Sequence, residues 1–71
     1  MTDQKQPRRF NGGKVKQARC ALQLSRLRFG RLIGRSDYSV YLWETGRSIP
    51  KGDSLVRIAD ALGQTVDYFY E

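Results

Sequence analysis

The sequence predicts an all-α fold of five short helices around one core, and three observations carry that reading. Apolar residues recur at helical spacing in successive segments between Lys14 and Phe69. Residues suited to cap helix starts precede these segments, and glycines suited to end helices follow two of them. No polar and apolar alternation extends beyond four positions, so no strand is expected. A chain of 71 residues has room for one domain, whose core supplies about 3–5 kcal/mol.

Residues 1–12 are polar and basic with a proline, and read as a flexible arm ahead of a domain at 13–71 that becomes ordered near Asn11. Lys5, Arg8 and Arg9, with Lys14 just beyond, can follow a phosphate backbone; a solvated tail is the other reading. In the first helix Val15, Ala18 and Leu22 form the inward stripe, and Arg19 lies on that same stripe. The second helix is capped by Ser25, carries the apolar pair Phe29 and Ile33, and ends at Gly34. Arg28 and Arg31 point outward, while Gly30 sits on the inner face, where the lack of a side chain lets another backbone approach.

Ser36 caps the third helix only two residues after Gly34, so helices two and three are expected to meet at a steep angle. On a wheel of 100° per residue, Val40, Trp43 and Glu44 share one side of it, and Asp37, Tyr38, Tyr41 and Leu42 share the other. The turn-rich segment at 44–54 leads to a fourth helix capped by Asp53 or Ser54, with Leu55, Ile58, Ala59 and Leu62 inward and Gly63 as its stop. A fifth helix follows, capped by Thr65 or Asp67, with Val66 and Phe69 inward.

Two inward charges of opposite sign, Arg19 on helix one and Glu44 on helix three, stop being anomalies if they pair with each other. The alternative is that both extend to solvent. Charge is also uneven along the chain: residues 1–35 hold ten basic and one acidic side chain, residues 36–71 three basic and six acidic. Such a field suits a polyanion, nucleic acid or an anionic membrane face, or else is a solvated surface. A single cysteine, Cys20, excludes an internal disulfide and fits a reducing cytoplasm. No apolar run approaches the roughly 18 residues of a membrane span. With no histidine and no Cys cluster, the parts for nucleophilic catalysis and for a metal site are missing, so no enzyme, metal or cofactor is expected.

The Gly34 turn, Ser36, ETG at 44–46, Pro50, IADALG at 58–63 and DYF at 67–69 keep one register without a gap. Together with Leu24 and Ser25 they resemble the phage-repressor and Cro type helix-turn-helix domain, the XRE family, over about Gly13 to Tyr70. That resemblance implies a compact lambda-repressor-like domain whose helices two and three form the helix-turn-helix. It also implies a buried ion pair between the helix-one arginine and the helix-three glutamate, here Arg19 and Glu44. Function would be sequence-specific binding to a double-stranded DNA operator, with residues 36–44 in the major groove.

The base-contacting residues implied are Ser36, Asp37, Tyr38, Ser39, Tyr41 and Leu42. A leucine or tyrosine ring edge can meet a thymine methyl, and a hydroxyl or carboxylate can hydrogen-bond a base. Phosphate contacts would fall to Ser25, Arg26, Arg35, Thr45, Arg47 and Lys51, aided by free N–H groups at helix starts. Arg8 and Arg9 would act from the arm. Two copies on adjacent half-sites are expected, joined through Tyr68 and Tyr70 with Val56, unless those tyrosines are only a solvent-facing end. A cytoplasmic, nucleoid-associated location follows.

The pattern is not kept everywhere. Helix three carries no Gln, Asn, Arg or Lys for bidentate base contacts. Arg35 stands where the family has a small or β-branched residue, and so either reaches toward DNA or loosens the turn. Leu27 and Leu32 add apolar surface at positions that are commonly polar. The second function reading therefore makes the helix-three surface an antitoxin-like or adaptor face for a protein partner.

Overall fold

A computed structural model describes residues 7–71; Lys5 of the expected arm lies outside them. Four α-helices follow in order: α1 (Gly12–Ala21), α2 (Arg26–Ile33), α3 (Asp37–Glu44) and α4 (Gly52–Leu62). The expected fifth α-helix is instead one 3-10 turn at Val66–Phe69. It stops after four residues because Tyr70 turns extended (φ −109°, ψ 142°) and pairs with the leader.

Local chemistry accounts for the helix boundaries. Asn11, Ser25 and Ser36 each accept a backbone N–H in the first turn of the helix that follows, satisfying donors that would otherwise have no partner. Gly34 and Gly63 end α2 and α4 in the left-handed conformation that glycine adopts without strain. The start of α4 differs from expectation: Lys51 occupies the cap and makes no side-chain bond there. Ser54 is buried and accepts from Arg35 Nε at 3.0 Å, and Asp53 lies in the first turn, where a negative charge suits the helix dipole. Of the two caps considered for the last segment, Thr65 is the one used, accepting from Tyr68 N.

Val15, Phe29, Val40, Ile58 and Phe69 are fully enclosed, one from each of the five segments, and Ile33, Trp43 and Leu62 complete the centre. Leu22, expected on the inward stripe, is 52% exposed. It is the residue that terminates α1, and the chain then turns through Gln23 at φ 59°, carrying Leu24 to the core edge in its place. At Gly30 an added Cβ would stand 2.7 Å from the Arg35 carbonyl oxygen, so α2 and the α2–α3 connection touch backbone to backbone.

Among the described residues of the stretch expected to be a flexible arm, Arg8 to Asn11 make defined contacts. Arg9 N donates to the Glu71 carbonyl and Glu71 N to the Arg9 carbonyl, both at 2.9 Å, and Asn11 N donates to the Phe69 carbonyl at 2.7 Å. Arg8 forms an ion pair with Asp67, and Phe10 packs edge-on to Tyr70. The hydrogen bond and charge of Arg8 hold the exposed Asp67 carboxyl below its ordinary pKa. What this pair contributes is therefore fully present above the usual carboxylate range and is lost as pH falls through the lowered value.

Candidate nucleic-acid interface

The inner side of α3 is anchored by Val40, Trp43 and Glu44, all buried. Glu44 Oε2 accepts from Arg19 Nε at 2.6 Å and Glu44 Oε1 from Arg19 Nη2 at 3.1 Å, a bidentate pair in which both side chains are almost wholly enclosed. Arg19 also donates to the Leu24 carbonyl at 2.7 Å, tying the α1–α2 turn to the same centre. The hydrogen bond to Glu44 raises the Arg19 pKa against the opposing effect of burial, so the guanidinium stays charged. The pairing read from the two inward charges is present in the structure.

A second arginine joins this centre. Arg26 Nε donates to Glu44 Oε1 at 2.9 Å, and its guanidinium lies 5.3 Å from the Tyr41 ring centroid. The sequence suggests only phosphate for Arg26; eighteen residues separate it from Glu44, and no helical spacing announces the contact. Arg47 stands over the same ring at 6.0 Å. Tyr41 is thus flanked by two cations, an arrangement that attracts guanidinium to a ring face.

On the outer side, Tyr38 is 64% exposed and its ring stacks on Tyr41, with centroids 6.0 Å apart and planes 25° apart. The i, i+3 spacing of the two tyrosines was the signal for this contact. Leu42 is half-buried beside them, Asp37 and Ser36 are exposed, and Ser39 is half-buried. Ser36 Oγ lies 3.1 Å from both Ser39 N and Ser39 Oγ. Ser25 is exposed at the start of α2, and Thr45 Oγ1 donates to the Tyr41 carbonyl at 2.8 Å while remaining exposed. Arg47 and Lys51 are exposed in and after the α3–α4 loop.

Several expected contact residues are turned elsewhere. Arg35 neither reaches outward nor loosens the turn: it bonds Ser54, the Gly34 carbonyl at 3.2 Å and, at 3.5 Å, Asp53, bracing α4 against the α2–α3 connection. Arg8 is committed to Asp67 and lies 5.9 Å from the Tyr70 ring, whereas the Arg9 side chain is exposed. Tyr68 and Tyr70, expected to join two copies, are half-buried within the chain. Tyr68 packs edge-on to Phe69 under Lys14, whose ammonium stands 5.0 Å from the Tyr68 ring centroid. Val56 is exposed. Among the described residues no cluster of possible metal ligands occurs, and no helix is long and apolar enough to cross a membrane.

A family model described as helix-turn-helix matches residues 15–69, the span from the first core residue of α1 to the last of the 3-10 turn. The chain belongs to the helix-turn-helix family. The crystal structure of the P22 c2 repressor protein in complex with a synthetic operator superimposes with a TM-score of 0.82 at 24% identity, over 86% of this chain and 92% of that one. The solution structure of the P22 c2 repressor DNA-binding domain gives 0.80 at 24% identity, over 86% and 80%. Hydroxypropylphosphonic acid epoxidase from S. wedmorenis gives 0.76 at 23% identity, over 84% of this chain but only 32% of the enzyme. At these identities the likeness is one of fold, so the helix-turn-helix domain here resembles both a repressor domain and one part of a larger enzyme. A search of curated protein sequences finds no match.

Proposed function

We propose that this helix-turn-helix protein is a sequence-specific double-stranded DNA-binding transcriptional regulator of the repressor type, with α3 lying in the major groove. One observation carries the reading: α3 presents an exposed aromatic face that the core does not use, beside the capped start of α2 and the exposed Arg47 and Lys51. The repressor relative seen on its operator has the same helical frame. In this reading Ser36, Asp37, Tyr38, Ser39, Tyr41 and Leu42 face bases, and Ser25, Thr45, Arg47 and Lys51 face phosphates. Arg26 does so only with the part of its guanidinium not held by Glu44. The basic leader at 1–12, including Arg9, follows the backbone, and the protein acts in the cytoplasm on the nucleoid.

Enrichment of random duplex DNA on the purified protein tests this directly. Five or six phosphate contacts give a log–log salt slope of roughly −5. Arg47→Ala should weaken the enriched and a scrambled duplex alike and flatten the slope by about one unit. Tyr38→Ala should cost about 1–3 kcal/mol on the enriched duplex alone. Salt-insensitive binding, or equal affinity for scrambled DNA, would remove the reading; full discrimination by Tyr38→Ala would assign the aromatic face to a protein partner.

Two copies are expected per enriched site, since one such domain buries too little surface for useful affinity. With Tyr68 and Tyr70 packed within the chain, Val56 is the candidate contact that stays exposed. Sedimentation of the complex checks the count, and one protein per minimal site would contradict it.

A further inference from the structure

The outer face of α3 is rich in carbon and poor in free donors. Residues 36–44 include none of the Gln, Asn, Arg and Lys side chains that make paired bonds to purines. The hydroxyls at the start of the helix engage each other, since Ser36 Oγ caps Ser39 N and lies within bonding distance of Ser39 Oγ. Of the neighbouring guanidiniums, Arg26 binds Glu44, and Arg47, exposed in the loop after the helix, stands 6.0 Å from the Tyr41 ring centroid. What remains outward is the exposed Asp37 carboxylate, which can only accept, and the i, i+3, i+4 set of Tyr38, Tyr41 and Leu42. The exposed Tyr38 ring stacks on Tyr41, which also has the Arg26 and Arg47 guanidiniums near it, so the two rings form a plate on the surface of α3. In the major groove the apolar group that such a plate can meet is the C5-methyl of a pyrimidine.

We propose, on the basis of the DNA-binding reading above, that α3 recognises its duplex chiefly through pyrimidine C5-methyl groups seated against Tyr38 and Leu42. Tyr41 is the positioning residue that holds the Tyr38 ring. Thymine and 5-methylcytosine both carry this methyl, and the choice between them is open to experiment.

The probe is the duplex enriched from the random pool, with each thymidine replaced in turn by deoxyuridine, which removes the methyl and leaves every hydrogen-bonding group in place. At contacted positions affinity should fall about fourfold, the worth of one buried methyl-sized group. That penalty should disappear in Tyr38→Ala or Leu42→Ala and persist in Tyr38→Phe, which keeps the ring and loses the hydroxyl. Tyr38 is largely exposed, so its variants should melt with the parent protein, and a thermal scan confirms that they are folded. A 5-methylcytosine and guanine pair at a contacted step separates the two sources. If it binds better than the unmethylated pair, the methyl is read on either base; if it does not, while deoxyuridine still weakens binding, thymine is the base read. A fully deoxyuridine-substituted duplex bound as tightly as the parent, with scrambled DNA still rejected, would overturn the methyl reading and leave sequence-specific binding intact. Failure to enrich any duplex would overturn both.

Discussion

Glu44→Ala is expected to cost about 3–5 kcal/mol, most of the stability that a domain of this size holds. The carboxylate is fully enclosed and accepts from two arginines, so its removal leaves the Arg19 guanidinium buried with only the Leu24 carbonyl as partner. Asp60→Ala, on the exposed side of α4, should stay within about 0.5 kcal/mol of the parent. Urea titration of the two variants side by side decides the matter, and equal midpoints would show that the ion pair does not stabilise the fold.

A comparable loss is expected from a single methyl group. In Gly12→Ala the new Cβ would stand 1.8 Å from the Trp43 carbonyl oxygen and 2.9 Å from its carbonyl carbon. Both partners are backbone, so no rotamer change relieves the overlap, and α1 must move away from the end of α3. Overpacking typically costs about 1–3 kcal/mol and occasionally more; two helices held by backbone contact belong at the upper end. The next residue gives the contrast. A Cβ at Gly13 would meet only the Asn11 cap oxygen at 3.1 Å, a side-chain atom that must give by a few tenths of an ångström, which offsets part of the up to about 1 kcal/mol that alanine gains over glycine within a helix. Gly13→Ala should therefore melt close to the parent while Gly12→Ala falls well below it, as a thermal scan of both would show; parallel melting of the pair would contradict the packing assigned to Gly12.

These two sites also mark what was legible in the sequence. Arg19 and Glu44 declared themselves because each is a charge on an apolar helical stripe, and periodicity alone exposes such a conflict. The caps at Ser25 and Ser36 and the stop at Gly34 were equally readable, since their chemistry is local. Gly12 and Gly13 look alike in sequence; which one faces α3 depends on how two helices pack. Arg26 and Arg35 hold partners that the sequence does not disclose, for a related reason. Their partners lie eighteen or nineteen residues away, and a basic side chain near a helix start reads as solvent-facing until the opposite helix is in place. The aromatic face of α3 was visible from residue spacing, whereas its flanking by Arg26 and Arg47 was not. At Arg8 and Arg9 a polar leader reads as free chain, but Arg9 is held by backbone bonds, to which side-chain type is nearly blind, and Arg8 by an ion pair with Asp67, far along the chain.

The paired bonds between Arg9 and Glu71 give the described chain the topology of a ring, closed by hydrogen bonds instead of a peptide link. Arg9 and Glu71 lie side by side and run antiparallel, so a linker of a few residues that replaces the residues ahead of Arg8 can join Glu71 to Arg8 covalently without disturbing α1–α4. New termini can then be opened in the exposed loop at Thr45–Arg47. A circular permutant made this way should keep its helices, and any segment fused before Arg8 would emerge beside one fused after Glu71. Acidification works in the opposite sense, because protonating Asp67 removes the ion pair to Arg8 that flanks the closure and leaves the seam to its backbone bonds alone.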